Sequence, residues 1–292
     1  MKWRGDRQST NVEDRTNGRV TQTGGRAVKG GGIFSMIILG LVMLLGGGNL
    51  GSVLNMMEPP AQQVSPQTQQ LSTERKEFVS VVFGHLEDFW GQEFQREGFR
   101  YTQPSMVLYS GRVRTACGSA DSSVGPFYCP GDQKVYLDLS FMDELATKYK
   151  AKGDFAMAYV VAHEVGHHVQ QQLGIADQMN KLRTTLSTKE YNKYQVRMEL
   201  QADYYAGMWT KYIAGKTHNG QPILEIGDVE SALTAANAIG DDTLQRKFQG
   251  FVIPDSFTHG TSKQRINWFN RGYQYGDFEH GNTFAATNLD LE

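Results

Sequence analysis

The pattern His163-Glu164-Val165-Gly166-His167 has the residue types and the spacing of a zinc site on a helix. Residues four apart lie one turn apart on the same helix face, so both imidazoles can bind one ion. Glu164 is turned about 100° from His163, which lets it hydrogen-bond a zinc-bound water without binding the metal itself. The pattern therefore predicts one zinc ion (Zn2+) per chain, with Glu164 as the general base.

A catalytic zinc also needs a third protein ligand, and Glu199 is the candidate. It lies 32 residues after His167, within the stretch RMELQAD that ends at Asp203, on a second predicted long helix. Asp203 projects from the same helix face as Glu199, where it can accept the remaining ring N–H of a ligand histidine. The alternative is a solvated acidic face, but the surrounding residues are apolar and aromatic.

His168 follows the second histidine of the pattern directly. It lies about 100° further around the helix, so we expect it to miss the ion that His163 and His167 hold. We interpret it either as a surface histidine or as a histidine that contacts a metal ligand without binding the metal itself.

Cys117 and Cys129 enclose 11 residues and are the only two cysteines of the chain. They are predicted to form a disulfide if this part of the chain lies outside the cytoplasm, and to be free thiols if it lies in the cytosol. A zinc site on these thiolates is not expected, because they have no further ligands nearby.

The elements that must position these residues follow from hydrophobic periodicity. Apolar residues recur at helical spacing through 154–172, the segment with the histidines, and Gly174 ends it. Ser187 and Glu190 form a capping-box pattern at the start of a helix over about 188–213. Further helices are predicted over 72–98, 140–150 (capped by Ser140), 228–239 and 262–271, and short strands over 106–109, 113–116, 127–129 and 134–137. This order predicts an α+β fold with a small mixed β-sheet and a mostly helical remainder.

The composition limits the classes of protein to which the chain can belong. Its 292 residues suit one large domain or two small ones. The content of 39% hydrophobic and 11% aromatic residues supports a core, which excludes wholesale disorder. The formal net charge of −2 argues against a nucleic-acid partner, because such binding needs a basic face.

The amino-terminal part of the chain differs from the remainder. Residues 1–32 are polar and glycine-rich, with seven Lys or Arg against three Asp or Glu, which predicts a disordered tail. Residues 33–54 are free of charge and begin with 13 almost wholly apolar residues, which predicts a transmembrane helix. A buried core helix is the alternative. Residues 55–72 are rich in proline and glutamine and are predicted to be a linker, followed by a metal-binding domain over 73–292.

Positive charge flanks the apolar segment on its N-terminal side alone, because no Lys or Arg occurs between Lys29 and Arg75. The positive-inside rule then predicts a cytoplasmic N-terminus and a domain outside the inner membrane, in the periplasm. Membrane attachment would be through residues 33–54.

Several blocks in the same order resemble a family of bacterial neutral zinc metallopeptidases. They are RGDRQSTNVEDR, CGSADSSVGPFYCPGDQKVYLDLSF, AHEVGHHVQ, VRMELQADYYAG, SALTAANAIGDDTLQ and IPDSFTHGTSKQR, the last with Ile253 where valine is common. The resemblance covers nearly the whole chain and implies a zincin-like metallopeptidase domain preceded by one membrane anchor. It also implies a protein or peptide substrate.

Two wider resemblances concern the cleft. The block GPFYCPGDQKVYLD is similar to the edge strand that pairs with substrate in thermolysin-like peptidases, which implies a substrate rim at Gly125, Pro126, Phe127 and Tyr128. Pro126 departs from that pattern and removes one N–H donor. The segment from Thr258 through Ile266 resembles an S/T-H-P…R-I segment of membrane-linked relatives, with glycine in place of proline, and implies a catalytic role for His259. A structural histidine near a helix N-terminus is the alternative.

Two functions are compatible with these residues. The first is a membrane-anchored zinc endopeptidase, in which Glu164 passes a proton to the leaving amine and His259, Tyr204 or Tyr205 stabilises the oxyanion. The second is a non-catalytic, membrane-tethered binding or scaffold protein that retains the fold. The sequence leaves the substrate and the oligomeric state open.

Overall fold

The computed structural model describes residues 1–16 and 66–291 and has the predicted α+β class. Its α-helices are α1 (Pro66–Arg96), α2 (Phe141–Thr147), α3 (Asp154–Gln172), α4 (Ile175–Thr185), α5 (Thr188–Ala214), α6 (Asp228–Ala238), α7 (Asp241–Gln249) and α8 (Ser262–Tyr275). Its strands are β1 (Val12–Asp14), β2 (Ser105–Tyr109), β3 (Arg112–Thr115), β4 (Gly118–Asp121), β5 (Phe127–Cys129), β6 (Lys134–Asp138), β7 (Thr217–His218) and β8 (Gln221–Pro222).

The two helices that carry the predicted metal ligands agree closely with the sequence. Helix α3 has the predicted bounds, and α5 ends one residue later than expected, with the Ser187 hydroxyl accepting the amide of Glu190 at its start. Helix α2 is shorter than expected because Lys150 adopts a positive φ of 61°, and Ser140 makes no capping bond with its side chain. Helices α4 and α7 and strands β1, β4, β7 and β8 were not expected.

The main sheet has four strands in the order β1-β2-β6-β5. Strands β1, β2 and β6 run parallel, whereas β5 pairs antiparallel with β6 and forms an edge. The side chains of β5 alternate: Phe127 and Cys129 pack with Tyr136 in a small cluster, whereas Tyr128 belongs to the main core. The strands predicted over 127–129 and 134–137 therefore form a hairpin, which places an edge strand beside α3.

The predicted disulfide between Cys117 and Cys129 is present, with the two Cα atoms 5.8 Å apart. It joins the turn between β3 and β4 to the end of β5. The edge strand is thus held covalently at one end.

The expectation of a disordered tail over 1–32 is wrong for residues 1–16, which we call the N-terminal strap. Trp3 is buried and packs edge-to-face on Phe78 of α1, with ring centroids 5.5 Å apart. Val12 pairs with Met106 where β1 extends the sheet. The strap is mostly polar, so its composition does not reveal these few apolar residues. They stabilise the strap only once α1 and β2 have folded and can pack against them.

Hydrogen bonds fix the strap along α1. The Ser9 hydroxyl donates to the buried Glu87 carboxylate at 2.6 Å, and the Arg7 guanidinium donates to the Gly84 carbonyl at 2.7 Å. The backbone amide of Ser9 donates to the Ser80 carbonyl at 2.9 Å. The strap and the remainder of the described chain therefore form one folded unit.

The predicted linker over 55–72 is wrong for residues 66–72, because α1 begins at Pro66, where proline suits the first helical turn. The predicted transmembrane helix over 33–54 lies outside the described residues. Among the residues that the structure describes, no helix is long and apolar enough to cross a membrane.

Glycines let the three helices around the predicted site approach closely. A side-chain carbon on Gly207 of α5 would lie 2.0 Å from the Phe269 carbonyl oxygen of α8. One on Gly272 of α8 would lie 2.0 Å from the Tyr204 carbonyl oxygen of α5. Gly166 of α3 has a similar relation to Ala202, at 3.2 Å. Backbone contact at these points brings α3, α5 and α8 together around the motif histidines.

Substitution of Gly84 by alanine tests the docking of the strap. The new carbon would lie 2.9 Å from the Arg7 carbonyl oxygen, whereas nothing lies within 4 Å of the corresponding position at Gly91 in the same helix. Helix propensity alone would make both changes stabilising by about 1 kcal/mol. We expect Gly91→Ala to raise the melting temperature. Gly84→Ala should lower both the melting temperature and the free energy of unfolding, the latter by about 1–3 kcal/mol, because the strap must move. An equal gain in both variants would show that the strap is not docked there.

Candidate metal centre

The predicted ligands converge at the crossing of α3 and α5. His163 and His167 lie on α3 and Glu199 on α5, and all three are buried. The Glu199 carboxylate lies 3.2 Å from Nε2 of His163 and 3.6 Å from Nε2 of His167. One ligand atom from each residue falls within a cluster no wider than 4.8 Å, so the three could hold one metal ion.

The chemistry of the buried atoms fits a zinc ion. Nε2 of His167 and both carboxylate oxygens of Glu164 are buried without a hydrogen-bond partner among the described residues. Unpartnered buried polar atoms destabilise a fold, and a bound cation with its water would satisfy these. Two imidazoles and one carboxylate are a known donor set of catalytic zinc, with a position left for water.

In each motif histidine, the ring nitrogen that faces away from the other candidate ligands is held by a neighbouring side chain. His163 donates from Nδ1 to the Asp203 carboxylate at 2.9 Å, and His167 donates from Nδ1 to the side-chain oxygen of Gln170 at 2.9 Å. The amide of Gln170 in turn donates to the Met198 carbonyl at 2.7 Å. Each imidazole therefore presents the lone pair of Nε2 to the site.

Asp203 lies at the centre of a buried hydrogen-bond network. Besides His163 it accepts hydrogen bonds from the Tyr159 hydroxyl at 2.6 Å and from Nε and Nη2 of Arg265 at 2.8 and 3.0 Å. Burial alone would raise the pKa of Asp203, but the charges of Arg265 and His163 lower it to about 2. The sequence predicted the contact with His163. Tyr159 was missed, although it lies four residues before His163 on the same helix face.

Burial raises the pKa of Glu164 to about 8, and the nearby Glu199 carboxylate adds to the rise. Burial would raise the pKa of Glu199 as well, but His167 and His163 hold it well below its ordinary value. The two carboxyls thus differ in proton affinity, as a proton acceptor and a metal ligand should.

His168 misses the predicted ion, as expected, but it is buried and not a surface residue. It donates from Nε2 to the Thr102 carbonyl at 2.7 Å and accepts the Tyr128 hydroxyl at Nδ1, at 2.9 Å. Burial lowers its pKa to about 4, which keeps the ring neutral.

His259 lies near Glu199 and is held by an acid that the sequence did not reveal. Oδ1 of Asp241 lies 3.1 Å from Nδ1 of His259, and Oδ2 accepts the backbone amides of residues 258, 259 and 260 at 2.7, 2.6 and 3.0 Å. Burial would lower the pKa of His259, but Asp241 and then Glu199 raise it. Gly260 has a φ of 90°, which proline cannot adopt, so the glycine found in place of proline follows from this turn.

The other two predicted oxyanion donors are directed elsewhere. The Tyr204 hydroxyl donates to the Asp277 carbonyl at 2.7 Å. The ring of Tyr205 packs against Trp90 and Phe278, with centroids 5.4 and 5.9 Å away. His259 is therefore the one of the three candidates that lies beside the metal ligands.

The predicted substrate rim lies at the edge of the main sheet. Phe127 and Tyr128 are in β5, and Gly125 and Pro126 precede it. The backbone amide of Tyr128 faces Glu164 without forming a hydrogen bond of normal geometry. The structure thus brings the rim and the predicted general base together.

Comparison with known proteins matches residues 1–284 to the family described as "Putative neutral zinc metallopeptidase". One relative is "Uncharacterized protein YpfJ" of Escherichia coli K12, which is 46% identical over 295 residues, 98% of this chain and 100% of the relative. Another is "Uncharacterized protein Rv2575" of Mycobacterium tuberculosis H37Rv, which is 45% identical over 195 residues, 65% of each chain. No solved structure matches significantly.

The pKa of Glu164 predicts a pH-dependent effect of Glu164→Gln on the metal-free protein. The folded chain keeps, up to about pH 8, a proton that the unfolded chain releases near the ordinary value of 4.5. Wild-type stability therefore falls as the pH rises through this range, and glutamine removes that loss. We expect the variant to be more stable by about 3 kcal/mol at pH 7 and by little at pH 5.

Urea unfolding in the presence of a chelator measures this difference, and Glu97→Gln on the exposed surface is the control. A constant difference between Glu164→Gln and wild type across the pH range would contradict the buried, protonated carboxyl.

Proposed function

Because the chain belongs to the family described as putative neutral zinc metallopeptidase, we propose that it is a zinc-dependent endopeptidase. His163, His167 and Glu199 are the proposed ligands of one zinc ion. The observation that carries the proposal is the buried Glu164 carboxyl, which has no hydrogen bond of normal geometry and interacts electrostatically with His167 and Glu199. A carboxyl kept in this environment without a partner suits a group whose work is to take and release a proton.

In the proposed reaction, the metal ion and Glu164 have separate roles in peptide hydrolysis. A zinc ion, when bound, supplies Lewis-acid polarisation of the scissile carbonyl and lowers the pKa of a water molecule. Glu164 takes the proton of the attacking water and delivers it to the leaving amine. Because Glu164 holds a proton up to about pH 8 in the metal-free site, the positive charge of the metal must favour its ionised form.

His259 is the proposed donor to the oxyanion. Asp241 orients the ring through Nδ1 and favours its protonated form, which leaves Nε2 as a donor. A fixed donor beside the developing charge stabilises the transition state without reorganisation. Asp241 acts in this proposal as the positioning residue for His259.

The test compares the full-length protein with Glu164→Gln and His163→Ala. We expect wild type and Glu164→Gln to bind one zinc per chain, because glutamine leaves the ligands intact, and His163→Ala to lose it. Wild type should cleave unfolded casein, and Glu164→Gln should lose at least about 100-fold in kcat, as for a general base. Stoichiometric zinc with no cleavage by wild type would favour the binding or scaffold protein. Zinc retained by His163→Ala would refute the ligand set.

We also propose that the protein is attached to the inner membrane through residues 33–54, with the domain on the periplasmic side. The disulfide between Cys117 and Cys129 supports an oxidising compartment. The strap is part of the same folded unit as the domain, so it must lie on the same side. We therefore propose that the strap and the domain both lie in the periplasm, in place of the cytoplasmic N-terminus that the positive-inside rule predicted.

Single cysteines test this location, because both native cysteines are joined in the disulfide. Arg4 in the strap and Lys189 in the domain have exposed side chains, with 69% and 57% of their surface accessible. In intact spheroplasts a membrane-impermeant maleimide should label both Arg4→Cys and Lys189→Cys. Labelling of Lys189→Cys alone would restore the single crossing with a cytoplasmic N-terminus. Labelling of neither before permeabilisation would place the domain in the cytoplasm.

A further inference from the structure

We propose that His168 is a positioning residue. Through its hydrogen bond with Tyr128 it holds β5 at the position along α3 where an extended peptide can pair with the backbone of β5. The inference rests on the proposed peptidase function and adds how the substrate is bound. It concerns a histidine that follows the metal ligands in sequence but takes no part in binding the ion.

The bond between His168 and Tyr128 has a defined direction. Nε2 of His168 lies 2.7 Å from the Thr102 carbonyl oxygen, which can only accept, so we assign the proton to this nitrogen. The side-chain amide nitrogen of Gln172 lies 2.8 Å from the same Nε2 and donates to the Thr102 carbonyl at 3.0 Å. Nδ1 is then an acceptor for the Tyr128 hydroxyl, at 2.9 Å. The His168 side chain is closed to solvent, so water cannot replace either partner.

Tyr128 is the side chain of β5 that reaches α3. Its neighbours Phe127 and Cys129 point to the other face of the sheet, into the cluster around Tyr136. A hydrogen bond is directional, so the contact with His168 sets the position of Tyr128 along the helix that carries the metal ligands. The pairing with β6 and the disulfide at Cys129 hold β5 elsewhere.

The position of β5 matters because it is an edge strand. One side pairs with β6, and the amide of Tyr128 faces Glu164. Peptides bind such edges by main-chain hydrogen bonds, which hold the chain extended whatever its side chains. A peptide paired there would run past the metal ligands, so the position of β5 decides how well the peptide binds.

The surroundings of His168 supply a matched control. Tyr101 lies edge-on to the same ring, with centroids 5.8 Å apart, and its hydroxyl is buried without a hydrogen-bond partner among the described residues. Tyr101→Phe and Tyr128→Phe each remove one hydroxyl beside His168. Only the second removes the bond to β5.

The experiment compares these two variants with wild type in zinc content, casein cleavage and amide hydrogen exchange. For Tyr128→Phe we expect unchanged zinc, a KM raised about tenfold and a kcat within about twofold, because a buried hydrogen bond and the strand position are lost. Exchange of the amides of residues 127–129 should be about tenfold faster, with residues 163–167 unchanged. Tyr101→Phe should match wild type in every measurement.

His168→Leu provides an independent variant. If the bond is the shared cause, Tyr128→Phe should add nothing further to KM in the His168→Leu background. Additive effects would overturn the proposal, and so would a Tyr128→Phe variant that resembles Tyr101→Phe or loses kcat alone. Wild type without any cleavage would refute the peptidase function itself. In that case, faster amide exchange at residues 127–129 in Tyr128→Phe would show that the hydrogen bond has a structural role only. Unchanged exchange would refute the role of the hydrogen bond in holding β5 as well.

Discussion

The buried charge of Asp203 is the constraint around which the domain is arranged. A carboxylate without access to water is stable only where donors surround it, and here Arg265, Tyr159 and His163 supply four hydrogen bonds. These donors come from α3 and α8, while Asp203 is on α5. The network can exist only because glycines at 207 and 272 let the helix backbones touch. The position of the metal ligands is therefore a consequence of helix packing as much as of the histidine motif.

The same network determines which groups of the proposed site are charged. Arg265 balances the charge of Asp203. Nδ1 of His163 faces the same carboxylate, so Nε2 of His163 is directed toward Glu199 and the proposed ion. What is left near the ion is the carboxylate of Glu199 and the carboxyl of Glu164, whose pKa burial raises to about 8. The Glu199 carboxylate attracts a cation, and a bound cation would also favour the ionised form of Glu164, so a divalent ion would stabilise this arrangement.

Sequence patterns predicted the parts of the site that lie within one helix. The spacing of His163 and His167, and that of Glu199 and Asp203, follows the helical repeat and needs no knowledge of the fold. Arg265 and Asp241 could not be assigned in this way, because their partners lie on other elements. The same holds for the burial of His168, whose partners Tyr128 and Thr102 are 40 and 66 residues away in the chain. The strap was misjudged because a polar, glycine-rich segment with few apolar anchors has no preference for order until its partner surface exists.

The strap also determines the order in which the domain can be completed. Val12 pairs with Met106, so the first strand of the chain has no partner until more than 90 further residues have been made. At about 5–20 residues per second this delay lasts roughly 5–20 s. During that time the backbone of β1 remains uncovered, and the ring of Trp3 is uncovered at least until Phe78 has been made. Such surfaces aggregate or are bound by chaperones. The earliest residues to be synthesised are thus among the last to find their place, and the nascent chain must be protected at its own beginning.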